Sequence, residues 1–160
     1  MCNGRIMIAG TNSGCGKTTV VCGLLKCLLN RKMNIHAFKC GPDYIDTSFH
    51  KKVLKIPTGN LDSWFCKPED LRKIVSKKAD KCDIAVIEGV MGYYDGMGFT
   101  QRASAYEIAD ITSTPVILII NCKGMSLSLE AVLSGFVNMK QNSHIKGVIF
   151  NRLSEKLYCQ

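Results

Sequence analysis

From its tenth position the chain reads Gly10-Thr11-Asn12-Ser13-Gly14-Cys15-Gly16-Lys17-Thr18-Thr19. An apolar run at residues 5–9 precedes this stretch, and a run with helical periodicity at residues 20–29 follows it. A strand, a glycine-rich turn, a Lys-Thr pair and a helix, in that order, are typical of a phosphate-binding loop. Glycines let consecutive backbone N–H groups converge on one phosphate, and the helix directs the positive end of its dipole to the same place. The stretch therefore predicts a site for a nucleoside triphosphate.

The Lys-Thr pair gives this loop its expected chemistry. We expect Lys17 to reach the β- and γ-phosphates and the Thr18 hydroxyl to ligate Mg²⁺. A lysine in the first turn of a helix is unfavourable beside the positive dipole end, which favours an anion binding there. The loop departs from the general pattern at its first position, where Thr11 stands instead of glycine and Gly10 precedes it. Cys15 inside the loop is expected to be a tolerated small side chain rather than a catalytic one.

Length and composition indicate a single globular domain. The chain has 160 residues, of which 46% are hydrophobic and 21% charged, as in a protein with a core. No apolar run approaches the roughly 20 residues that span a bilayer, so no membrane partner is expected. The first residues lead directly into the first strand, so we expect no secretory signal and a cytoplasmic protein. Nine scattered cysteines with no C-x-x-C pair favour free thiols over disulfides or a zinc site.

The formal net charge of +8 has more than one interpretation. Nucleic-acid binding is the weakest, because the lysines are dispersed and no RNA- or DNA-binding motif accompanies them; we expect no nucleic-acid partner. Attraction of a polyanionic small substrate together with a nucleotide is another. An ordinary solvated face also accounts for many of the lysines.

Short β-branched runs alternate with helical periodicity along the chain. The apolar runs predict five strands, at residues 5–9, 35–39, 83–88, 115–121 and 145–151. Helices are predicted at residues 17–31, at 48–54, from Pro68 onward, through residue 111 after a capping box of Ser104 and Glu107, and around 129–137. Repeated β-α units indicate an α/β fold, a P-loop NTPase-like and mostly parallel sheet with helices on both faces.

Ligands of such sheets bind beyond the carboxyl ends of the strands, so the residues that follow each strand are candidate site residues. Glu88 ends a buried apolar strand, where an unpaired carboxylate would be costly, and Mg²⁺ prefers oxygen ligands. Asp43 and Asp46 follow the second strand. The Gly-Pro-Asp sequence there also fits ordinary turn chemistry, and the spacing leaves both interpretations open.

Other side chains have weaker signals. Asn151, at the end of the last predicted strand, is expected either to hydrogen-bond a purine edge or to cap the following turn. Trp64 and Phe65 are expected to be packing groups. The three histidines show no pairing with a Ser or Cys nucleophile, and we assign none of them a catalytic role.

Three further blocks are distinctive when taken with the loop. They read Phe38-Lys39-Cys40-Gly41-Pro42-Asp43-Tyr44-Ile45-Asp46, Asn60-Leu61-Asp62 and Glu88-Gly89-Val90-Met91-Gly92-Tyr93-Tyr94-Asp95-Gly96. Together the four blocks resemble the amino-terminal domain of the cobyrinate a,c-diamide synthase family, and the resemblance continues to Gly147-Val148-Ile149-Phe150-Asn151-Arg152. A threonine at the leading loop position also fits this family and the similar dethiobiotin synthetase.

The resemblance implies ATP- and Mg²⁺-dependent amide synthesis on the a and c acetate side chains of a corrinoid, with nitrogen from glutamine. ATP phosphorylates a substrate carboxylate, and ammonia then displaces phosphate from the acyl phosphate. A polycarboxylate tetrapyrrole substrate also suits the positive net charge. Carried over by position, the catalytic residues are Lys17, Lys39, Asp43 and Asp95. The nucleotide contacts are Thr11, Asn12, Ser13, Gly14, Cys15, Gly16, Lys17, Thr18, Thr19 and Asn151, and the metal ligands are Thr18, Asp46 and Glu88.

The resemblance also sets the expected organisation and partners. We expect one ATP-binding synthetase domain over residues 1–160, incomplete after its last strand and without the family's glutamine amidotransferase domain. Free ammonia or that domain is the expected nitrogen source, and the sequence leaves open a homodimer. Amidation of hydrogenobyrinate or nickel-sirohydrochlorin stays open as an alternative. A partner-regulating P-loop ATPase switch is the alternative from another class, although Asn12 and Ser13 stand where such proteins usually carry a second lysine.

Overall fold

The structure is a computed structural model that describes residues 4–154, apart from the side chains of Tyr44 and Asp46. The strands are β1 (Gly4–Gly10), β2 (Ile35–Cys40), β3 (Thr58–Leu61), β4 (Ile84–Glu88), β5 (Val116–Asn121) and β6 (Ile145–Asn151). The helices are α1 (Lys17–Asn30), α2 (Tyr44–Lys52), α3 (Pro68–Ala79), α4 (Ala105–Thr112) and α5 (Ser128–Asn138). None of the helices in residues 4–154 is both long and apolar enough to cross a lipid bilayer.

The six strands form one sheet in the order β3-β2-β4-β1-β5-β6, and every pair is parallel. Successive side chains of a strand point to opposite faces, so a strand buried on both faces supplies two cores. On β1, Met7 joins the core that contains Leu71 of α3, whereas Ile8 joins the core that contains Leu25 of α1. The predicted α/β sheet with helices on both faces is confirmed.

The strand order brings the predicted site residues to one edge of the sheet. Parallel strands place their carboxyl ends on the same edge, and β4 lies between β1 and β2. In the ladder, Glu88 at the end of β4 is paired with Ile8 of β1 on one side and with Lys39 of β2 on the other. The loops that follow β1, β2 and β4 therefore surround the Glu88 carboxylate.

The structure has one strand that was not predicted, and one predicted helix has different bounds. The segment Thr58–Leu61 forms a sixth strand, β3, which the sequence analysis missed because Thr-Gly-Asn-Leu has one apolar residue and no alternation. Its partner is β2, and only Leu61 is fully buried. Helix α2 runs from Tyr44 to Lys52 rather than over residues 48–54, because Asp43 accepts a hydrogen bond from the Ile45 amide and so starts the helix earlier.

The start of α4 follows the prediction in part. The Ser104 hydroxyl accepts a hydrogen bond from the Glu107 amide at 3.1 Å, as expected of an N-cap residue. The Glu107 carboxylate accepts from the Ala103 amide at 2.7 Å, one residue before the position that a capping box requires. It also accepts from the Ser63 hydroxyl, so this side chain ties α4 to the turn after β3.

Candidate active site

The loop between β1 and α1 has the backbone conformation that its glycines allow. Gly14 and Gly16 have φ angles of 74° and 104°, in the left-handed region that side chains disfavour. Gly10 serves packing instead, because a Cβ at this position would collide with the Cys15 sulfur. Cys15 is fully buried beneath the loop. Its predicted role as a tolerated small side chain agrees with this position.

Lys17 is a buried cation that faces neutral acceptors. Its Nζ donates to the Asn12 carbonyl at 3.0 Å and to the Met91 carbonyl at 2.6 Å, and the Cys15 sulfur lies 3.9 Å away. The side chain is 8% exposed. Among the described residues, no carboxylate contacts this ammonium group. A buried charge without a counter-charge is costly, so the loop is arranged to receive an anion.

Asn151, the last residue of β6, is hydrogen-bonded to the phosphate loop. Its Nδ2 donates to the Cys15 carbonyl at 2.8 Å, and its Oδ1 accepts from the Arg152 amide at 3.0 Å. A Cβ at Gly16 would collide with this Nδ2. The structure thus uses the Asn151 amide to position the loop, and its predicted contact with adenine stays a prediction. A cavity of about 270 Å³ opens here, lined by Gly14, Gly16, Lys17, Thr18, Thr19 and Arg152.

Glu88 connects the loop to the neighbouring strand. Its Oε1 accepts from the Thr18 hydroxyl at 2.7 Å and from Lys39 Nζ at 2.9 Å. Glu88 is fully buried and Lys39 is 4% exposed, so the two charges form a buried pair. The structure brings together these three residues, which the sequence analysis took from three different segments.

The same carboxylate fits a divalent cation. Glu88 Oε2 is buried and has no hydrogen-bond partner in the part of the chain that the structure describes. A buried carboxylate oxygen without a partner is costly, and Mg²⁺ takes oxygen ligands from one or two carboxylates. The Thr18 hydroxyl on the same carboxylate adds a second oxygen. Asp46, the other predicted ligand, has its side chain outside the described residues.

Asp43 lies at the edge of this cluster. Its Oδ2 is 3.6 Å from Lys39 Nζ, and its Oδ1 accepts from the Ile45 amide at 3.0 Å. Asn60 of β3 holds the preceding turn, because its Nδ2 donates to the carbonyls of Gly41 and Asp43 at 2.8 and 2.9 Å. The sequence alone assigns no role to the Asn-Leu-Asp block, and the structure gives Asn60 a positioning role.

Asp95 lies in the segment that follows β4. Its Oδ2 accepts from the Gly92 amide at 3.0 Å, and the residue is exposed. A Cβ at Gly92 would lie 2.8 Å from the Thr11 carbonyl, so the segment that carries Asp95 packs closely against the phosphate loop. The Met91 carbonyl, which sequence analysis missed, is aimed at Lys17 by a positive φ of 46°. The run of glycines around Met91 was the available signal, because it predicts a backbone that approaches another group closely.

The thiol beside this cluster is not a nucleophile at neutral pH. Burial raises the pKa of Cys40, the residue after Lys39, to about 12, with Glu88 as a smaller contribution in the same direction. Burial also raises the pKa of Cys122. With that pKa the Cys40 thiol does not provide the thiolate that covalent catalysis needs.

The expectation that Trp64 and Phe65 are packing groups is wrong. Trp64 is 43% exposed and Phe65 is 78% exposed. Both follow β3, the strand that the sequence analysis missed, so their position at the carboxyl edge of the sheet could not be inferred from the predicted elements.

Comparison with protein families identifies the domain. The CbiA family, described as the CobQ/CobB/MinD/ParA nucleotide binding domain, matches residues 6–158. The chain belongs to this family. The matched range of the CbiA domain contains the phosphate loop and all the predicted site residues, from Thr11 to Asn151.

Curated relatives of this CbiA domain include proteins named cobyrinate a,c-diamide synthase. The protein from Priestia megaterium is 41% identical over 157 residues, which cover 98% of this chain and 34% of the relative. The protein from Limosilactobacillus reuteri is 44% identical over 157 residues, covering 96% and 34%. The protein from Sulfurisphaera tokodaii is 38% identical over 159 residues, covering 98% and 36%. The chain spans about a third of the length of the curated relatives that it matches.

Solved structures share the fold of this CbiA domain. The septum site-determining protein MinD from Pyrococcus horikoshii, complexed with Mg-ADP, superposes with a TM-score of 0.57 at 21% identity, covering 96% of this chain and 72% of MinD. The BceF tyrosine kinase domain gives a TM-score of 0.65 at 13% identity, covering 91% and 67%. At these identities the likeness shows the fold alone.

Proposed function

We propose that this chain is the ATP-binding part of an enzyme that converts side-chain carboxylates of cobyrinate into amides. The observation that carries the proposal is the Glu88 carboxylate, which joins the Thr18 hydroxyl of the phosphate loop to Lys39 of the next strand. The relatives named cobyrinate a,c-diamide synthase support the choice of substrate. Their matches cover 96–98% of this chain.

The proposed reaction solves a leaving-group problem. A carboxylate oxygen of the substrate attacks the γ-phosphorus of ATP, the bond from that phosphorus to the β–γ bridging oxygen breaks, and ADP leaves. Ammonia then attacks the carbonyl carbon of the acyl phosphate. The carbon–oxygen bond breaks, inorganic phosphate leaves, and the nitrogen loses one proton to the departing phosphate or to solvent to give the amide. Phosphorylation is needed because an oxide ion does not leave a carboxylate, whereas phosphate is a stable leaving group.

The buried charges of the site suit phosphoryl transfer, in which catalysis consists mainly of positioning and charge neutralisation. Lys17 binds the β- and γ-phosphates, because its ammonium group is buried, desolvated and bonded only to neutral acceptors among the described residues. Thr18, Glu88 and Asp46 hold Mg²⁺, which when bound neutralises phosphate charge. Lys39 faces both Glu88 and Asp43 and adds positive charge beside the transferred group.

Nitrogen comes from glutamine through an amidotransferase domain in this proposal, and free ammonium replaces it in an assay of this chain. Asp43 and Asp95 act next to the substrate in this proposal, Asp43 beside Lys39 and Asp95 in the segment that packs against the phosphate loop. The same chemistry would serve hydrogenobyrinate or nickel-sirohydrochlorin, whose carboxylates differ little from those of cobyrinate.

Mass spectrometry of the products tests the proposal. Each of the three tetrapyrroles is incubated with the chain, ATP, Mg²⁺ and ammonium, and the mass change counts the amides formed. We expect amidation of cobyrinate with one ADP released per amide, and no product with Lys17→Ala. Lys26→Ala, an exposed lysine on α1, is the matched control. ATP hydrolysis without any mass change, accompanied by ATP-dependent dimerisation in light scattering, would instead support the partner-regulating ATPase.

A further inference from the structure

A second pocket lies beyond the carboxyl ends of β2, β3 and β4. Its volume is about 240 Å³, and apolar side chains form most of its wall. Those that matter here are Pro42, Trp64, Phe65, Val90, Met91 and Met97. The side chains of these residues have no part in the site described above, to which Met91 contributes its backbone carbonyl.

The aromatic wall of this pocket is held in place and still exposed. Asp62 Oδ1 accepts from the Trp64 amide at 2.9 Å, which fixes the turn after β3. The Arg102 guanidinium lies 4.4 Å from the centre of the Trp64 ring. Trp64, Phe65 and Met97 are 43%, 78% and 49% exposed, respectively. Large apolar side chains that are clustered and exposed around a concavity are typical of a ligand-binding surface.

Met91 links the pocket to the phosphate loop. The residue lines the pocket, and its carbonyl accepts a hydrogen bond from Lys17 Nζ at 2.6 Å. A molecule in the pocket therefore contacts the same residue as the lysine that binds the phosphates in our proposal. A ligand bound there would lie beside the phosphate loop, and an acceptor of a phosphoryl group must lie there because its reacting oxygen has to approach the γ-phosphorus directly.

We propose that this pocket binds the apolar face of the tetrapyrrole ring while Arg102 binds one of its peripheral carboxylates. The inference rests on the proposed function and adds a substrate-binding site to it. Pockets that enclose a whole drug-sized ligand measure about 300–1,000 Å³, so the ring lies across the mouth with one edge inside. Aromatic side chains stack on a conjugated ring, and a guanidinium binds a carboxylate through two hydrogen bonds. The net charge of +8 favours a polyanionic ligand.

Isothermal titration calorimetry with cobyrinate, at a saturating concentration of a non-hydrolysable ATP analogue, tests this site. Trp64→Ala is expected to raise the Kd for cobyrinate about tenfold or more, and Phe65→Ala or Met97→Ala about fivefold. Arg102→Ala is expected to raise it a few fold and to weaken its dependence on salt concentration. The Kd for the ATP analogue stays unchanged, because none of these side chains lies on the phosphate loop.

Two exposed residues outside the pocket provide matched controls. Phe99→Ala removes an aromatic ring that is more exposed than those of Trp64 and Phe65, and Arg31→Ala removes a guanidinium at the far end of α1; neither is expected to change the Kd for cobyrinate. A variant that loses the wild-type circular dichroism spectrum is replaced by Trp64→Phe or Phe65→Leu, for which a smaller loss in the same direction is expected.

The outcomes separate this inference from the proposed function. If the wild-type chain binds cobyrinate and the pocket variants bind it equally well, the inference is overturned and the proposed function stands. If the wild-type chain binds the ATP analogue but not cobyrinate, the inference and the choice of substrate are both overturned.

Discussion

Lys39 Nζ and Glu88 Oε1 lie 2.9 Å apart, both buried, at the carboxyl ends of two hydrogen-bonded strands. Removal of one member of a buried ion pair leaves the other as a buried charge without a counter-charge. Removal of both members leaves no buried charge. This pair is therefore a stability determinant as well as part of the candidate active site, and its two contributions can be separated by mutation.

A double-mutant cycle should reveal strong coupling in this pair. We expect Lys39→Met to lower the free energy of unfolding by about 3–5 kcal/mol, because it leaves the Glu88 carboxylate without its cation. Glu88→Gln should cost less, because Asp43 still faces Lys39 at 3.6 Å. The double variant should lose at least about 1 kcal/mol less than the sum of the single variants. Urea unfolding measures all four proteins, and additive costs would contradict the coupling.

Glu88→Gln should separate nucleotide binding from turnover. The substitution keeps the shape of the side chain and an oxygen that can accept from Thr18, so we expect the Kd for ATP without Mg²⁺ to change less than about threefold. Amidation should fall about 100-fold or more, because the negative charge that binds the cation is gone. Calorimetry and the mass-spectrometric assay measure the two effects, with Glu69→Gln on the surface of α3 as control. Normal amidation by Glu88→Gln would show that the metal assignment is wrong.

Gly16→Ala should disrupt the loop more than Gly14→Ala. Both positions have positive φ angles, so both substitutions strain the backbone by roughly 1 kcal/mol or more. Only the Cβ at position 16 would also collide with the Asn151 amide, whereas position 14 is open. We expect a larger loss of ATP affinity for Gly16→Ala and a partial recovery when it is combined with Asn151→Ala. Equal losses for the two single variants would show that the contact with Asn151 does not constrain the loop.

His36 should make the fold less stable in acid. Burial in β2, and secondarily the charge of Lys78, lower its pKa below the ordinary value of 6.5. The unfolded chain therefore binds more protons than the folded chain between the two pKa values, and stability falls as the pH falls below about 6.5. Lys78→Gln should reduce this loss, because it removes the second cause of the shift. Urea unfolding at pH 7.5 and 5.5 measures the difference.

Lys77→Gln is the matched control for this effect, since Lys77 is also an exposed lysine on α3. His36→Gln should remove most of the same pH dependence even if it lowers stability at both pH values. A pH dependence that is unchanged in both His36→Gln and Lys78→Gln would assign the acid sensitivity to other groups.

The sequence predicted those strands and helices whose own residues form a recognisable pattern. The strands with continuous apolar runs, such as Ile84–Glu88 and Val116–Asn121, were predicted because such runs are typical of a parallel sheet. The strand Thr58–Leu61 was missed because its stability depends on the ladder with β2 rather than on its own side chains. Pairing with another strand is a tertiary property that one segment does not encode.

The candidate site was also predicted only in part. Lys17, Thr18 and Glu88 were predicted, because a loop motif and a carboxylate at the end of a buried strand are local signals. The hydrogen bonds of Lys17 with the Met91 carbonyl and of Asn151 with the Cys15 carbonyl join residues 74 and 136 positions apart. They depend on strand register and on one backbone dihedral angle, which the residue types alone do not determine.

Strand β6 forms one edge of the sheet, and Asn151 at its end donates a hydrogen bond to the loop that follows β1. Suppose that a nucleotide binds the loop only while Asn151 is hydrogen-bonded to it. The nucleotide must then stabilise the docked state of β6 by the same free energy. Nucleotide binding to the loop and docking of β6 are therefore linked. Slower amide hydrogen exchange in β6 would then show that a nucleotide occupies the loop.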